Sequence, residues 1–148
     1  MEFLAENKKV FLNYEVLEKF NAGIELLGLE VKSLKAKRGT LNGAYVLARG
    51  NEVFLLGATI PPYQPKNTPV DYEPTRPRRL LLTKKEISQM VGWENQRGLT
   101  IVPLSLYNSG RKIKVTIAVA RGKKKYDKRE TLKKREANRE IQRTLKNQ

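Results

Sequence analysis

The 28 residues from Arg121 to Gln148 hold twelve Lys/Arg against four Asp/Glu, and their only large apolar side chains are Tyr126, Leu132, Ile141 and Leu145. A segment so poor in apolar surface cannot offset the entropy lost on ordering. Any core must therefore come from residues 1–120. Ala137, Ile141 and Leu145 stand at i, i+4, i+8 and would form one thin apolar stripe on an otherwise charged helix. The reading is a basic tail, 121–148, that is disordered or marginally helical when free and gains structure on a polyanion. A solvated tail without a partner is the alternative, but solubility is served by mixed charge, whereas excess Lys/Arg is rewarded only by a polyanion.

About 120 residues suit a single domain with an adequate core. This body has 18 basic and 11 acidic residues, so the +15 of the whole chain is shared between body and tail. Nucleic acid is the expected partner. No apolar run approaches membrane-spanning length, and Glu2 and Glu6 stand where a secretory leader needs positive charge, so a cytoplasmic protein without membrane association is expected. The chain has neither histidine nor cysteine. Their joint absence removes zinc sites, thiol nucleophiles and imidazole general bases. No Asp/Glu cluster has two-metal spacing, and neither a phosphate-cradling GxxxxGK[ST] loop nor a GxGxxG turn occurs. A binding protein with no catalytic residue, metal or cofactor follows.

Local patterns predict mainly short strands. Residues 14–24 read as a strand, and 29–37 as a short helix closed by Gly39. Ala44–Ala48 and Val53–Leu56 flank Gly50-Asn51, a competent two-residue hairpin turn. Six of the seven prolines fall between Pro61 and Pro77, which forbids regular structure there. Thr83 and Glu86 form a capping box, Leu82 and Ile87 a hydrophobic staple, and Gly92 marks the end of that helix. Leu99–Tyr107 and Ile113–Ala120 read as strands joined through Asn108-Ser109-Gly110, with Pro103 at an edge or bulge and one face of the last strand buried. The fold class is mainly β with two to three short helices: a small antiparallel barrel of the oligonucleotide-binding (OB) type with a basic, disordered tail.

Three basic stretches are candidate RNA contacts. In the first, Lys32, Lys35 and Lys37 can meet phosphates while Glu30 and Ser33 meet ribose hydroxyls or base edges; an ordinary solvated helix face is the alternative. In the second, Arg76, Arg78 and Arg79 flank Pro77 in a loop and offer bidentate phosphate binding, or simply solubilising charge. The third runs from Arg121 to Arg129, where cations surround Tyr126, an aromatic able to stack on an unpaired base. Trp93 and the other tyrosines are read as core or loop packing.

The order of motifs resembles the SsrA-binding protein (small protein B) family along nearly the whole chain. The resemblance is carried by Asn7-Lys8-Lys9, Tyr14-Glu15-Val16-Leu17-Glu18, Ala22-Gly23-Ile24, Gly28-Leu29-Glu30-Val31-Lys32-Ser33-Leu34, Pro74-Thr75-Arg76-Pro77-Arg78-Arg79 and Leu80-Leu81-Leu82. It continues through Lys84-Lys85-Glu86-Ile87, Gly98 to Leu104, Ala120-Arg121-Gly122-Lys123-Lys124 and Tyr126-Asp127-Lys128-Arg129. It implies an OB-type barrel that grips the tRNA-like domain of transfer-messenger RNA and delivers it to stalled ribosomes as a monomer. The tail would become helical against small-subunit ribosomal RNA in the empty decoding and message channel. By motif, Glu30, Lys32, Ser33 and Lys35 would lie at the RNA surface with Asn7, Lys8 and Tyr14 nearby. Arg121, Gly122, Lys123 and Lys124 would join body to tail, and Tyr126, Asp127, Lys128 and Arg129 would address the ribosome. Relatives often carry histidine where Leu12, Tyr72 and Thr83 stand here, so the contacts of those positions must differ. A ribosomal assembly protein and an RNA-processing enzyme are the competing readings.

Overall fold

The computed structural model describes residues 2–123 and 125–146. Seven strands, β1 (Glu2–Glu6), β2 (Tyr14–Ile24), β3 (Tyr45–Arg49), β4 (Glu52–Leu56), β5 (Arg78–Leu81), β6 (Leu99–Ser109) and β7 (Lys112–Gly122), pair only antiparallel. Hydrogen bonding runs β6-β3-β4-β5-β2-β7 and returns from β7 to β6, so six strands close a ring and β1 is added on β6. Closure removes the open edges of the six ring strands, which would otherwise template aggregation, and leaves only short β1 as an edge. Four helices accompany the sheet: α1 (Val10–Asn13), α2 (Gly28–Lys35), α3 (Lys84–Glu94) and α4 (Lys125–Lys146). The expected OB-like class, mainly β and antiparallel, is what the chain adopts.

Residues from all around the ring fill one core, with Leu34, Val53, Leu55, Met90, Val115 and Ile117 wholly buried. A second, smaller cluster lies outside it, where Val10 of α1 covers Val102, Leu104, Ala118 and Ala120. The last strand was expected to bury one face. In fact both faces are covered toward its end, because Ala118 and Ala120 are small enough for α1 to sit over them. Pro103 borders a register shift between Pro103 and Ser105, where its missing N–H costs the ladder nothing.

The hairpin β3–β4 turns through Gly50-Asn51, Gly50 taking φ +59°. Between β4 and β5 the proline-rich connection contains only a 3-10 turn, Pro65–Asn67. Helix α3 begins as predicted: the Thr83 hydroxyl accepts from Glu86 N at 3.2 Å and Glu86 Oε1 accepts from Thr83 N at 3.0 Å. It does not end at Gly92. Tertiary contacts carry it to Glu94: the Trp93 ring lies 5.5 Å from that of Phe20, and Glu94 Oε1 accepts from Ala48 N at 2.7 Å.

Helix α2 also ends differently from the sequence reading. Lys37, not a glycine, takes the left-handed conformation at φ +60°. The Arg38 N–H reaches Ser33 O at 3.1 Å and the Lys37 N–H reaches Leu34 O at 2.8 Å, the paired bonds of a Schellman ending. Gly39 serves another purpose, since a Cβ there would stand 2.5 Å from Cδ2 of fully buried Leu34. Lys37→Gly is therefore expected to raise unfolding stability in urea by about 1 kcal/mol, because the left-handed cost to an L-residue disappears. Gly39→Ala, by contrast, should lower it.

Candidate nucleic-acid interface

The N-terminal and C-terminal candidates meet at one edge of the ring. β2 runs antiparallel to β7 with Tyr14 opposite Gly122 and Glu15 opposite Arg121, so closure brings residues separated by more than a hundred positions into register. Asn7 is buried and fixes the turn into α1: its Nδ2 donates to Pro103 O at 3.1 Å and its N–H to Leu104 O at 2.8 Å. Lys8 is then presented to solvent. At the other end of α1, Lys123 N donates to Asn13 O at 2.8 Å and Lys123 Nζ to Phe11 O at 2.8 Å. Lys8, half-buried Tyr14, exposed Arg121 and Gly122, and Lys123 form a patch around α1 that the chain assembles from both ends. Lys124 lies outside the described residues. Tyr126, Asp127, Lys128 and Arg129 fall in the first turns of α4, and the Arg129 side chain is exposed.

The α2 candidates divide. Lys32 and Lys35 are exposed in the last turn, where cations suit the helix dipole and remain available to phosphate. Glu30 and Ser33 are fully buried. This corrects the contacts expected of them, since neither has surface with which to touch ribose or base. Glu30 Oε1 accepts from Leu27 N at 2.8 Å, closing the first turn of α2, and from Arg76 Nη2. Glu30 Oε2 accepts from Arg76 Nε at 3.1 Å, Arg78 Nε at 2.9 Å and Arg78 Nη2 at 2.5 Å. Arg78 also donates to Ala58 O at 2.8 Å and Pro74 O at 2.9 Å. Two of the three arginines read as phosphate ligands are thus engaged inside the protein. The third, Arg79, faces Glu25 and Glu52 at the surface, 3.4 and 3.8 Å away.

Burial alone would raise the Glu30 pKa. The hydrogen bonds from Arg76, the Leu27 amide and Arg78, with the charge of Arg78, outweigh it and hold the carboxyl below its ordinary 4.5. Tyr72 completes the cluster: its hydroxyl donates to Ile60 O at 2.7 Å and lies 3.1 Å from Glu30 Oε2, and burial with the nearby carboxylate raises its pKa. Two of the three positions at which the family resemblance implied a departure therefore carry structural roles here, Tyr72 in this cluster and Thr83 in the α3 cap. Leu12 sits in α1. Ser33 Oγ is buried without a hydrogen-bond partner.

The sequence reading missed Lys19 on β2 and the exposed rings Phe3, Phe11 and Tyr45, 47%, 44% and 47% accessible. Aromatic side chains left in solvent beside lysines were the available signal, masked because strand periodicity alone does not say which face the ring encloses. Tyr63 carries Arg38 5.2 Å above its ring, and Tyr107 and Trp93 pack inward as expected of them.

The family model described as SmpB protein matches residues 4–147. An SsrA-binding protein of Thermosipho africanus is 49% identical over 147 residues, covering 99% of this chain and 98% of the relative. That of Syntrophobacter fumaroxidans is 48% identical over 143 residues, covering 97% and 88%. Among solved structures, one described as "tmRNA-SmpB: a journey to the center of the bacterial ribosome" is similar with a TM-score of 0.68 and 38% identity, covering 86% of this chain and 92% of that one.

Glu30→Ala strands buried Arg78, and unfolding titrations should show a loss of about 3–5 kcal/mol. Because the folded pKa is depressed, the carboxylate's contribution is whole above pH 4.5 and is lost as pH falls toward the lower folded value. A Glu30→Gln protein should show a flatter acid limb than the wild type. Ser33→Ala removes an unsatisfied hydroxyl and should leave stability equal or higher. Loss of RNA binding in that variant at unchanged stability would restore a contact role to Ser33.

Proposed function

The chain belongs to the SmpB protein family, and from that premise we propose that it is the RNA-binding adaptor of trans-translation. It binds the tRNA-like domain of transfer-messenger RNA and delivers it to stalled bacterial ribosomes for rescue and peptide tagging. The observation that carries this reading is the patch around α1. An RNA held there lies against the root of the tail, so one molecule can address two RNAs at once. Lys8, Tyr14, Arg121 and Lys123 are the contact residues, with Lys32 and Lys35 a second cationic face. Asn7 acts by fixing the turn that presents Lys8, and Glu30 by holding α2 in place.

The tail has a separate task. Along α4, Ala137 and Ile141 of the apolar stripe are exposed, Ile141 to 58%, and Leu132 on the opposite face to 47%, so its apolar side chains bury little against the body. A helix with so little packing is marginal in water. We assign it order conditional on a partner: the segment from Tyr126 to Arg129 onward is stabilised as a helix by the anionic walls of the empty decoding and message channel of the small subunit. No chemistry on RNA is required of the protein, which acts as a cytoplasmic monomer without membrane association. Among the described residues no helix is long and apolar enough to cross a membrane.

Truncation after Lys125 should leave affinity for the isolated tRNA-like domain unchanged while abolishing tagging on stalled ribosomes. Electrophoretic mobility shifts and a reconstituted tagging reaction read the two outcomes. Parallel loss of both would overturn the division of labour between body and tail.

A further inference from the structure

Two basic surfaces face each other where α4 lies beside α1. Between them is a cleft of about 600 Å3, inside the range of roughly 300–1,000 Å3 usual for ligand sites. The body contributes Phe3, Phe11, Lys8 and Lys19; α4 contributes Arg135 and Arg139. One carboxylate, Glu6, also lines it. Body and tail each carry net positive charge, and across this boundary Arg135 Nη2 reaches Lys8 O at 3.5 Å, a long hydrogen bond. Like charges brought together around a void lower their energy when an anion lies between them.

The walls specify which anion. Phe3 and Phe11 leave nearly half of their surface to solvent on the body side, in a protein whose core leaves most of its other large apolar groups covered. Bare rings beside cations suit a flat, apolar-faced group joined to a phosphate. Lys19 Nζ is 6.0 Å from the centre of the Phe11 ring, at the outer limit of a cation–π contact, and can exchange that contact for a phosphate oxygen. A duplex hides its base faces within the stack, whereas an unpaired strand offers them.

We propose that the cleft between α4 and the body is a second RNA site that clamps an unpaired nucleotide, its base on Phe3 and Phe11 and its phosphate between Lys19, Arg135 and Arg139. It rests on RNA as the partner and adds to the α1 patch a site for single-stranded RNA, which adjoins the one for the folded tRNA-like domain and shares Lys8 with it. Filling it replaces repulsion between body and tail by two sets of contacts to one ligand. The tail is thereby held more firmly to the body while a strand is present.

The test uses the full chain and a fluorescein-labelled hexaadenylate RNA, with anisotropy followed at low and at physiological salt. Phe11→Ser should weaken binding about tenfold, the size expected of one lost stacking contact. The pair Arg135→Glu with Arg139→Glu should weaken it at least as much and reduce the salt slope by about 1.4, for two phosphate contacts to a single strand. All three changes together should cost less than the product of the separate losses, because either set releases the same nucleotide. Phe11 and both arginines are at or near the surface, and unchanged thermal unfolding of the body verifies folding. Binding by Phe11→Ser as tight as wild type, losses that multiply, or equal displacement of the strand from both proteins by inorganic polyphosphate would overturn the clamp. The tRNA-like domain of transfer-messenger RNA, titrated in parallel, should bind wild type and variants alike. A wild-type protein that ignores that domain would count against the adaptor role instead.

Discussion

The placing of α2, of β5 and of the proline-rich connection depends on one carboxylate, Glu30. It closes the first turn of α2, neutralises Arg76 and Arg78, and through Arg78 ties β5 to the carbonyls of Ala58 and Pro74. Removing two opposite charges from water is expensive, and such a cluster stabilises only when its hydrogen-bonding capacity is filled. Here five donor contacts from Leu27, Arg76 and Arg78 converge on the two oxygens, and Tyr72 lies beside them. The proline-rich connection has almost no regular structure with which to hold itself. It is held instead by this cluster, which fastens Tyr72 and Pro74 against the ring.

A conflict between two uses of arginine is resolved in the same place. On a chain with thirty basic residues, any arginine looks from sequence like a phosphate ligand. Arg78 is wholly buried while Arg79, its neighbour, is exposed, because successive side chains of a strand point to opposite faces. The charge that remains at the surface lies around α1, on the last turn of α2, and along α4, where lysines and arginines outnumber the carboxylates.

How much of this was legible follows the range of the interactions. The cap of α3, the β3–β4 hairpin and the long strands β2, β6 and β7 are set by neighbours in sequence, and their patterns are readable. β1, α1 and β5 are short and owe their existence to partners far along the chain, so local pattern is silent about β1 and α1 and faint for β5. β5 did carry a signal, since Arg78 and Leu80 share a face and a buried leucine implies a buried arginine with an acidic partner. The same logic explains the mistaken assignment of Glu30 to the RNA surface. An acid surrounded by bases needs donors, and the sequence cannot say whether they come from a ligand or from within. The basic patch was legible as two separate motifs, but their meeting at α1 is a product of ring closure.

That meeting sets a geometry for the tail. Lys123 is pinned to α1 by its backbone and its side chain, so α4 starts from a fixed point beside the body patch. Twenty-two helical residues extend about 33 Å from that pivot. Wherever the tail is helical the protein is in effect a gauge: with one end seated on an RNA, its far arginines reach sites about one helix-length away. Changing the length of chain between Lys123 and α4 would alter that reach and carry Arg135 away from Lys8.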